Sequence, residues 1–220
     1  MKPTEKKILG ETGLAVTRLG LGCASLGGLY GDIPEQQAAA VVKQVLSLGI
    51  NLFDTAPLYG YGKSEVRLGN ALKGVPRDRY VLSSKVGRLL VSVEEGDRSQ
   101  DAYWGSPPPV RPKFYFSYDG VMRSFEESLQ RLKLDRIDIL HIHDPDDHWK
   151  EAIQGAYPAL DELRRQKVIR GVSAGMNQCE MLARFAREGD FDCFLLASRY
   201  SLLEQGALDE LFPLCQQKNI

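Results

Sequence analysis

Three apolar runs in this chain each end in a group that can carry or tune a proton. Phe53-Asp54-Thr55-Ala56-Pro57-Leu58-Tyr59-Gly60 presents a carboxylate and then a phenol. Val81-Leu82-Ser83-Ser84-Lys85 ends in an ammonium, and Ile137-Asp138-Ile139-Leu140-His141-Ile142-His143 ends in an imidazole. Each polar group stands where a strand should give way to a loop. In parallel α/β proteins the ligand crevice lies at the carboxyl ends of the strands. Asp54, Tyr59, Lys85 and His143 are therefore expected to converge on one pocket. A free phenol has a pKa of about 10 and is a poor acid–base near neutrality. An adjacent ammonium favours the phenolate and lowers that value. A carboxylate beside the ammonium keeps it charged and in place, and a histidine can orient the reacting oxygen by hydrogen bond. The set suits hydride transfer to or from a carbonyl.

The segment His141-Ile142-His143-Asp144-Pro145-Asp146-Asp147-His148 allows a second reading, a metal site. Strand alternation puts His141 and His143 on one face. All three histidines of the chain lie here, however, and no other strand end offers a histidine or a cysteine pair. A metal is not expected. His141 is expected one layer deeper than His143, as a hydrogen-bonded interior residue. Asp146 and Asp147 read as a solvated loop. Ser173 closes another apolar run, and Asn177 is either the N-cap of the next helix or, with Ser173, a partner for a cofactor amide.

The positioning elements follow from periodicity. Residues 6–18 alternate around Glu11-Thr12-Gly13 and suggest a hairpin. Strands are expected at 19–22, 50–54, 80–85, 137–143, 169–173 and 191–196. Helices are expected at 34–48, 64–72, 118–132, 158–165, 179–187 and 207–217. Residues 218–220 read as the entry to another strand. Residues 86–116, with Pro107-Pro108-Pro109, show no clean period and read as a long irregular loop whose Tyr103 and Trp104 could stack on a substrate. Six β/α repeats point to an α/β fold of the TIM (β/α)8 type rather than an open nucleotide-binding sheet. Gly20-Leu21-Gly22 with Gly27-Gly28 is not the Gly-rich turn that such a sheet uses.

Composition excludes other classes. The 220 residues are 43% hydrophobic and 26% charged, enough for a sizeable core. The 28 Lys and Arg nearly balance 29 Asp and Glu, so no basic field points to nucleic acid or a membrane surface. No apolar run is long enough to span a bilayer. The N-terminal residues lack a signal-peptide core. Cys23, Cys179, Cys193 and Cys215 are widely spaced and read as reduced thiols of a cytoplasmic protein.

At these residues the chain resembles the aldo-keto reductases. The matching pieces are Leu19-Gly20-Leu21-Gly22, Phe53-Asp54-Thr55-Ala56 with Tyr59-Gly60, and Gly62-x-Ser64-Glu65 with Leu68-Gly69. Ser84-Lys85-Val86, Asp138-x-Leu140-x-Ile142-His143-Asp144-Pro145 and Gly171-Val172-Ser173 follow in order. Leu26-Gly27-Gly28-Leu29-Tyr30-Gly31 and Ala174-Gly175-Met176-Asn177-Gln178 are similar to the bacterial aldose 1-dehydrogenase branch. The resemblance implies a barrel that binds NADP or NAD without a Rossmann fold. It implies Tyr59 as general acid–base, Lys85 and Asp54 as its tuning pair, and His143 as the orienting group. Gly22, Cys23, Ala24, Asp54, Ser173 and Asn177 would face the cofactor. Tyr30, Trp104, His143, Asp144 and Trp149 would line the substrate pocket. Two departures bear on carboxamide recognition: Ser173 is followed by Ala174 rather than asparagine, and a glutamine of the sixth strand end is replaced near Ala197.

The expected activity is oxidation of the C1 hemiacetal of an aldose, or of a similar cyclic hemiacetal such as pyridoxal, to a lactone. NADPH-dependent aldehyde reduction and a non-catalytic binding or regulatory role on the same barrel are the alternatives. The expected partner is a small carbonyl or sugar, with the oligomeric state open. A closed (β/α)8 barrel takes about 250 residues. Residues 1–220 are accordingly expected to form one barrel domain shortened after about six β/α units, with an N-terminal β-hairpin. Such a chain alone is expected to bind cofactor poorly.

Overall fold

The computed structural model describes residues 2–220. The chain opens with an antiparallel hairpin, β1 (Lys6–Leu9) and β2 (Leu14–Thr17), followed by β3 (Gly20–Gly22) and α1 (Glu35–Ser47). Then come β4 (Leu52–Asp54), α2 (Lys63–Leu72) and β5 (Val81–Val86). A second antiparallel pair follows, β6 (Arg88–Ser92) and β7 (Val110–Phe114), and then α3 (Tyr118–Leu132) and β8 (Ile139–His143). A helical stretch begins as α4 (Trp149–Glu151), passes through a π-helical turn at Ala152–Ala156, and continues as α5 (Tyr157–Arg165). β9 (Gly171–Met176), α6 (Cys179–Glu188), β10 (Cys193–Leu196) and α7 (Leu211–Lys218) complete the order.

Six strands form one parallel sheet in the order β3-β4-β5-β8-β9-β10. It is the curled sheet that the first six strands of a (β/α)8 barrel make. β5, β8 and β9 are buried along their whole length, as expected of strands covered on both faces. The register fixes which residues share a level. Gly22 pairs with Asp54, Asp54 with Ser83, Lys85 with His141, and His143 with Gly175. The chemistry-bearing side chains therefore lie at one rim.

The other rim is closed by the N-terminal hairpin. Leu14 and Val16 pack on Val81, Ile139 and Cys193, the first residues of three strands. Asn51 locks the hairpin down: its carboxamide oxygen accepts from the Thr17 amide at 2.8 Å, and its nitrogen donates to the Ala15 carbonyl at 2.8 Å. Among the described residues no helix is long and apolar enough to cross a membrane.

Four sequence expectations need correction. Residues 86–116 are not an irregular loop. β6 and β7 pair from Arg88↔Phe114 to Ser92↔Val110, and Leu29↔Trp104 bridges the distal part back to the region after β3. Pro107, Pro108, Pro109 and Pro112 hid the alternation. A two-stranded ribbon tolerates Pro112 because every residue in it is at an edge. The helix before Tyr157 was not visible, since a π-helical turn breaks the 3.6-residue period. The fifth strand of the sheet runs to Met176, past Ser173, and α6 starts after Gln178 with no side-chain cap, so Asn177 is not its N-cap. Residues 218–220 are not a strand entry: α7 reaches Lys218 and Asn219 takes a left-handed conformation.

α2 and α3 pack through a close approach at Gly69, where an added Cβ would overlap the Leu132 carbonyl. Beside it the fully buried Glu65 accepts from Arg131 Nε at 2.6 Å and from Ser84 Oγ at 2.9 Å, tying both helices to β5. Alanine at an exposed helical position would gain roughly 1 kcal/mol over glycine. At this contact overpacking should reverse the sign, and Gly69→Ala should lose about 1–3 kcal/mol of stability. Urea unfolding measures it, and a neutral or stabilising Gly69→Ala would contradict the packing described.

Candidate active site

Lys85, the fifth residue of β5, is only 1% exposed. Its Nζ donates to Asp54 Oδ2 at 2.6 Å and to the Thr55 carbonyl at 2.9 Å, and lies 4.6 Å from the centre of the Tyr59 ring. The other oxygen of Asp54 accepts from Ser83 Oγ at 2.8 Å. At the level of Lys85, His141 hydrogen-bonds Ser173 Oγ through Nδ1 at 2.6 Å, and its Nε2 stands 3.6 Å from Asp54 Oδ1. His143 meets the Tyr59 ring edge-on, with centroids 6.1 Å apart, and Trp104 covers another side at 6.0 Å.

The loop carrying Tyr59 is held by its backbone. Ser64 Oγ donates to the Cys23 carbonyl at 2.7 Å and shares a 2.9 Å hydrogen bond with Thr55 Oγ. Gly60 has a positive φ of 61° and abuts Gly27, whose carbonyl a Cβ would overlap. A bulkier residue there would move Tyr59, because both the conformation and the space require glycine.

Burial governs the electrostatics. It lowers the tendency of Lys85 to stay charged, but Asp54 and Tyr59 outweigh it and hold the ammonium above its ordinary pKa. Burial raises Tyr59 above the ordinary phenol value, with Lys85 opposing only in part. The charge of Lys85 taken alone lowers Tyr59, as expected from sequence, but desolvation reverses the sign. His141 is pushed down to about 4 by burial, and burial with the nearby Arg88 and Lys85 holds His143 well below the usual imidazole value. At neutral pH the centre holds a phenol, an ammonium paired with a carboxylate, and two neutral imidazoles.

The remaining nominated residues divide. Gly22 is exposed at the level of Asp54, and an added Cβ there would meet nothing. The Cys23 amide donates to the Asp54 carbonyl at 2.8 Å, but its thiol is fully buried in the core, where burial raises its pKa. Ala24 packs with Leu58, Tyr61 and Trp104. Ser173 is fully buried and hydrogen-bonded to His141, one step below the His143–Gly175 level. The strand end is instead Gly175-Met176-Asn177, which displaces the expected comparison at Ser173-Ala174. Asn177 is exposed and donates to the Ala197 carbonyl at 2.9 Å.

Trp149 is not a wall of the Tyr59 pocket. It stacks on Phe185 and Arg184 of α6, at 4.3 and 3.9 Å. Tyr30 is 82% exposed and touches Tyr103 rather than Tyr59. Asp144 pairs with Arg88 at 2.9 Å. Sequence reasoning missed Arg88. The signal available was its place just after Gly87, whose φ of 99° turns the chain out of β5. Among the described residues, no three His, Cys, Asp or Glu side chains are grouped as metal ligands.

The sequence model described as the aldo/keto reductase family matches residues 18–220. A pyridoxal 4-dehydrogenase of Microbacterium luteolum is 41% identical, over 100% of this chain and 69% of that protein. A D-threo-aldose 1-dehydrogenase of a Pseudomonas species is 40% identical, over 93% of this chain and 64% of that protein. Among solved structures, an aldo-keto reductase from Bacillus halodurans in its holo form superposes with a TM-score of 0.77 at 29% identity, over 98% of this chain and 64% of that one. The chain thus spans about two thirds of the length of these relatives.

The two buried imidazoles predict an acid-sensitive fold. The unfolded chain protonates histidine near the ordinary value of about 6.5, whereas folded His141 resists protonation down to about 4. Between those values the unfolded state binds more protons, so stability should fall as pH drops through that window. Ring-proton NMR should place the His141 midpoint near 4, and a midpoint at the ordinary imidazole value would remove the burial argument.

Proposed function

The chain belongs to the aldo/keto reductase family, and on that premise we propose that it is part of an NAD(P)-dependent oxidoreductase acting on the C1 hemiacetal of an aldose or on a similar cyclic hemiacetal such as that of pyridoxal, with a lactone as product. The observation that carries the reading is the buried Lys85 ammonium, bonded to Asp54 and lying against the Tyr59 ring, with His143 edge-on to the same ring. The relatives named as pyridoxal and aldose dehydrogenases support the substrate class.

The residues present fit the nicotinamide end of NAD(P). The strand end at Gly22 is open beside Asp54, Ala24 lies next to it, and Asn177 uses only its amide nitrogen within the protein. Gly22, Ala24 and Asn177 would hold that end. When bound, the cofactor supplies the hydride chemistry.

The protein groups manage the proton and the orientation. In oxidation the phenolate form of Tyr59 takes the C1 hydroxyl proton and becomes the phenol, and in reduction the phenol gives its proton to the carbonyl oxygen. Lys85 stabilises the phenolate at that moment, and Asp54 keeps the ammonium charged and aimed. Neutral His143 hydrogen-bonds the reacting oxygen without competing for its proton. Trp104 covers the Tyr59 ring and keeps water from it. Positioned acid–base catalysis of this kind contributes a factor of about 10² to 10⁴.

Tyr59→Phe keeps the ring and loses the exchangeable proton. It should cut turnover by about 100-fold or more with little change in the unfolding midpoint, and wild-type turnover would exclude Tyr59 as the acid–base. Because burial raises Tyr59, the rate of oxidation should keep increasing with pH beyond neutrality. Lys85→Met removes the cation that opposes this rise and should move that limb to still higher pH. Limbs at identical pH in both proteins would count against Tyr–Lys coupling. A panel of aldoses, pyridoxal and simple aldehydes, assayed with the complete enzyme and followed at the nicotinamide absorbance with NAD and NADP, tests the reaction class; the absence of turnover with every substrate would sink it.

A further inference from the structure

Beside His143 lies a pair of opposite charges that the acid–base machinery does not use. Arg88 opens β6, and Asp144 follows β8. Arg88 Nη2 donates to Asp144 Oδ2 at 2.9 Å, and the same oxygen is 3.4 Å from His143 Nε2. The pair is therefore one residue contact away from the Tyr59 ring. Both groups are held in place. The Arg88 guanidinium packs over the Phe114 ring at 4.6 Å. Asp144 sits in a left-handed conformation, φ 43°, with its amide bonded to the Gly175 carbonyl at 3.0 Å.

The pair is only half used. Among the described residues Arg88 Nη1 and Asp144 Oδ1 make no hydrogen bond. The two groups that bond each other thus keep one further donor atom and one further acceptor atom without a protein partner. A hydroxyl group needs such a combination, because it accepts and donates at once. An anion does not fit as well: Arg88 is neutralised by Asp144 and Lys85 by Asp54, so neither cation is left uncompensated. Two buried donor-capable atoms near Tyr59 also lack partners, Trp104 Nε1 and His143 Nδ1. Leaving such atoms unpaired is costly. Arg88 also lines a cleft of about 220 Å³ with Asp97, Ser99, Gln100, Lys113 and Phe114. Hydroxyl partners beside an aromatic face suit a sugar ring better than an alkyl chain.

We propose that Arg88, paired with Asp144, is a specificity-determining residue that reads a ring hydroxyl of a polyhydroxylated cyclic substrate. This rests on the functional reading above and adds to it the residue that separates sugars from simple aldehydes. A purely structural pair, one that only steadies His143, is the competing explanation. It would affect every substrate alike.

The test combines substrate deletion with residue deletion. Wild-type and Arg88→Met forms of the complete enzyme are assayed with an aldopyranose, with its monodeoxy analogues taken one hydroxyl at a time, and with a simple alkyl aldehyde in the reductive direction. Binding of the same sugars in the presence of NAD(P) is followed by tryptophan fluorescence. In the wild type, one deoxy analogue should lose about 10-fold or more in kcat/KM. Arg88→Met should lose a similar factor on the parent sugar and little more on that analogue. Its loss on the sugar should exceed its loss on the aldehyde by about 10-fold. The wild-type deoxy series does not depend on the variant folding. Equal losses on sugar and aldehyde, or deoxy analogues all as good as the parent, would overturn the proposal and leave the oxidoreductase reading intact. So would aldehyde turnover by a protein that neither binds nor oxidises any sugar. If no substrate supports nicotinamide turnover, the functional reading falls, and the fluorescence titrations alone decide whether Arg88 recognises the sugar.

Discussion

The ion pair between Lys85 and Asp54 is the constraint around which the rim is built. An ammonium almost without solvent contact is tolerable only when a carboxylate and further acceptors replace its water. Asp54 and the Thr55 carbonyl do so at 2.6 and 2.9 Å. That requirement sets where β4 must end relative to β5, and the parallel register Asp54↔Ser83 meets it. Ser83 then supplies the hydrogen bond that fixes the other carboxylate oxygen. Once Thr55 is drawn toward Lys85, its hydroxyl reaches Ser64, and Ser64 reaches Cys23. The Tyr59 loop is left with little freedom. One charge pair thus propagates through short polar links into the placement of a phenol.

The surroundings of that pair follow from desolvation. The burial that would neutralise Lys85 without Asp54 does neutralise His141 and His143, because neither gains a close carboxylate strong enough to oppose it. It also keeps Tyr59 a neutral phenol. A buried rim whose two cations are each compensated, with neutral donors beside them, can move a proton without trapping it. The β6–β7 ribbon contributes by bringing Trp104 against Tyr59 and Arg88 against Asp144. An apparent insertion between the third and fourth strands of the sheet is therefore part of the site.

The convergence of Asp54, Tyr59, Lys85 and His143 and the parallel repeat were legible because both rest on local signals. An apolar run that ends in Asp, Lys or His marks a strand end, and in this topology strand ends share a rim. The hairpin at 6–18 and the helix at 118–132 were legible for the same reason: periodicity or turn chemistry identified each without reference to the rest of the chain. The ribbon at 88–114 was not, since four prolines masked its alternation and its pairing is nonlocal. Trp149 was misplaced because an aromatic following an active-site loop says nothing about which helix it packs on.

What the sequence determined by itself is the class of chemistry and the scaffold, since residue types and their periodicity carry both. What only the tertiary structure decided is depth, direction and partner. Ser173 lies inside its strand and not at the end, because that strand runs to Met176. The pKa of Tyr59 goes up because desolvation depends on packing from several elements at once. Arg88 joins the site only because β6 folds back beside the end of β8. Burial and pairing between distant segments are properties of the packed chain, and no window of sequence contains them.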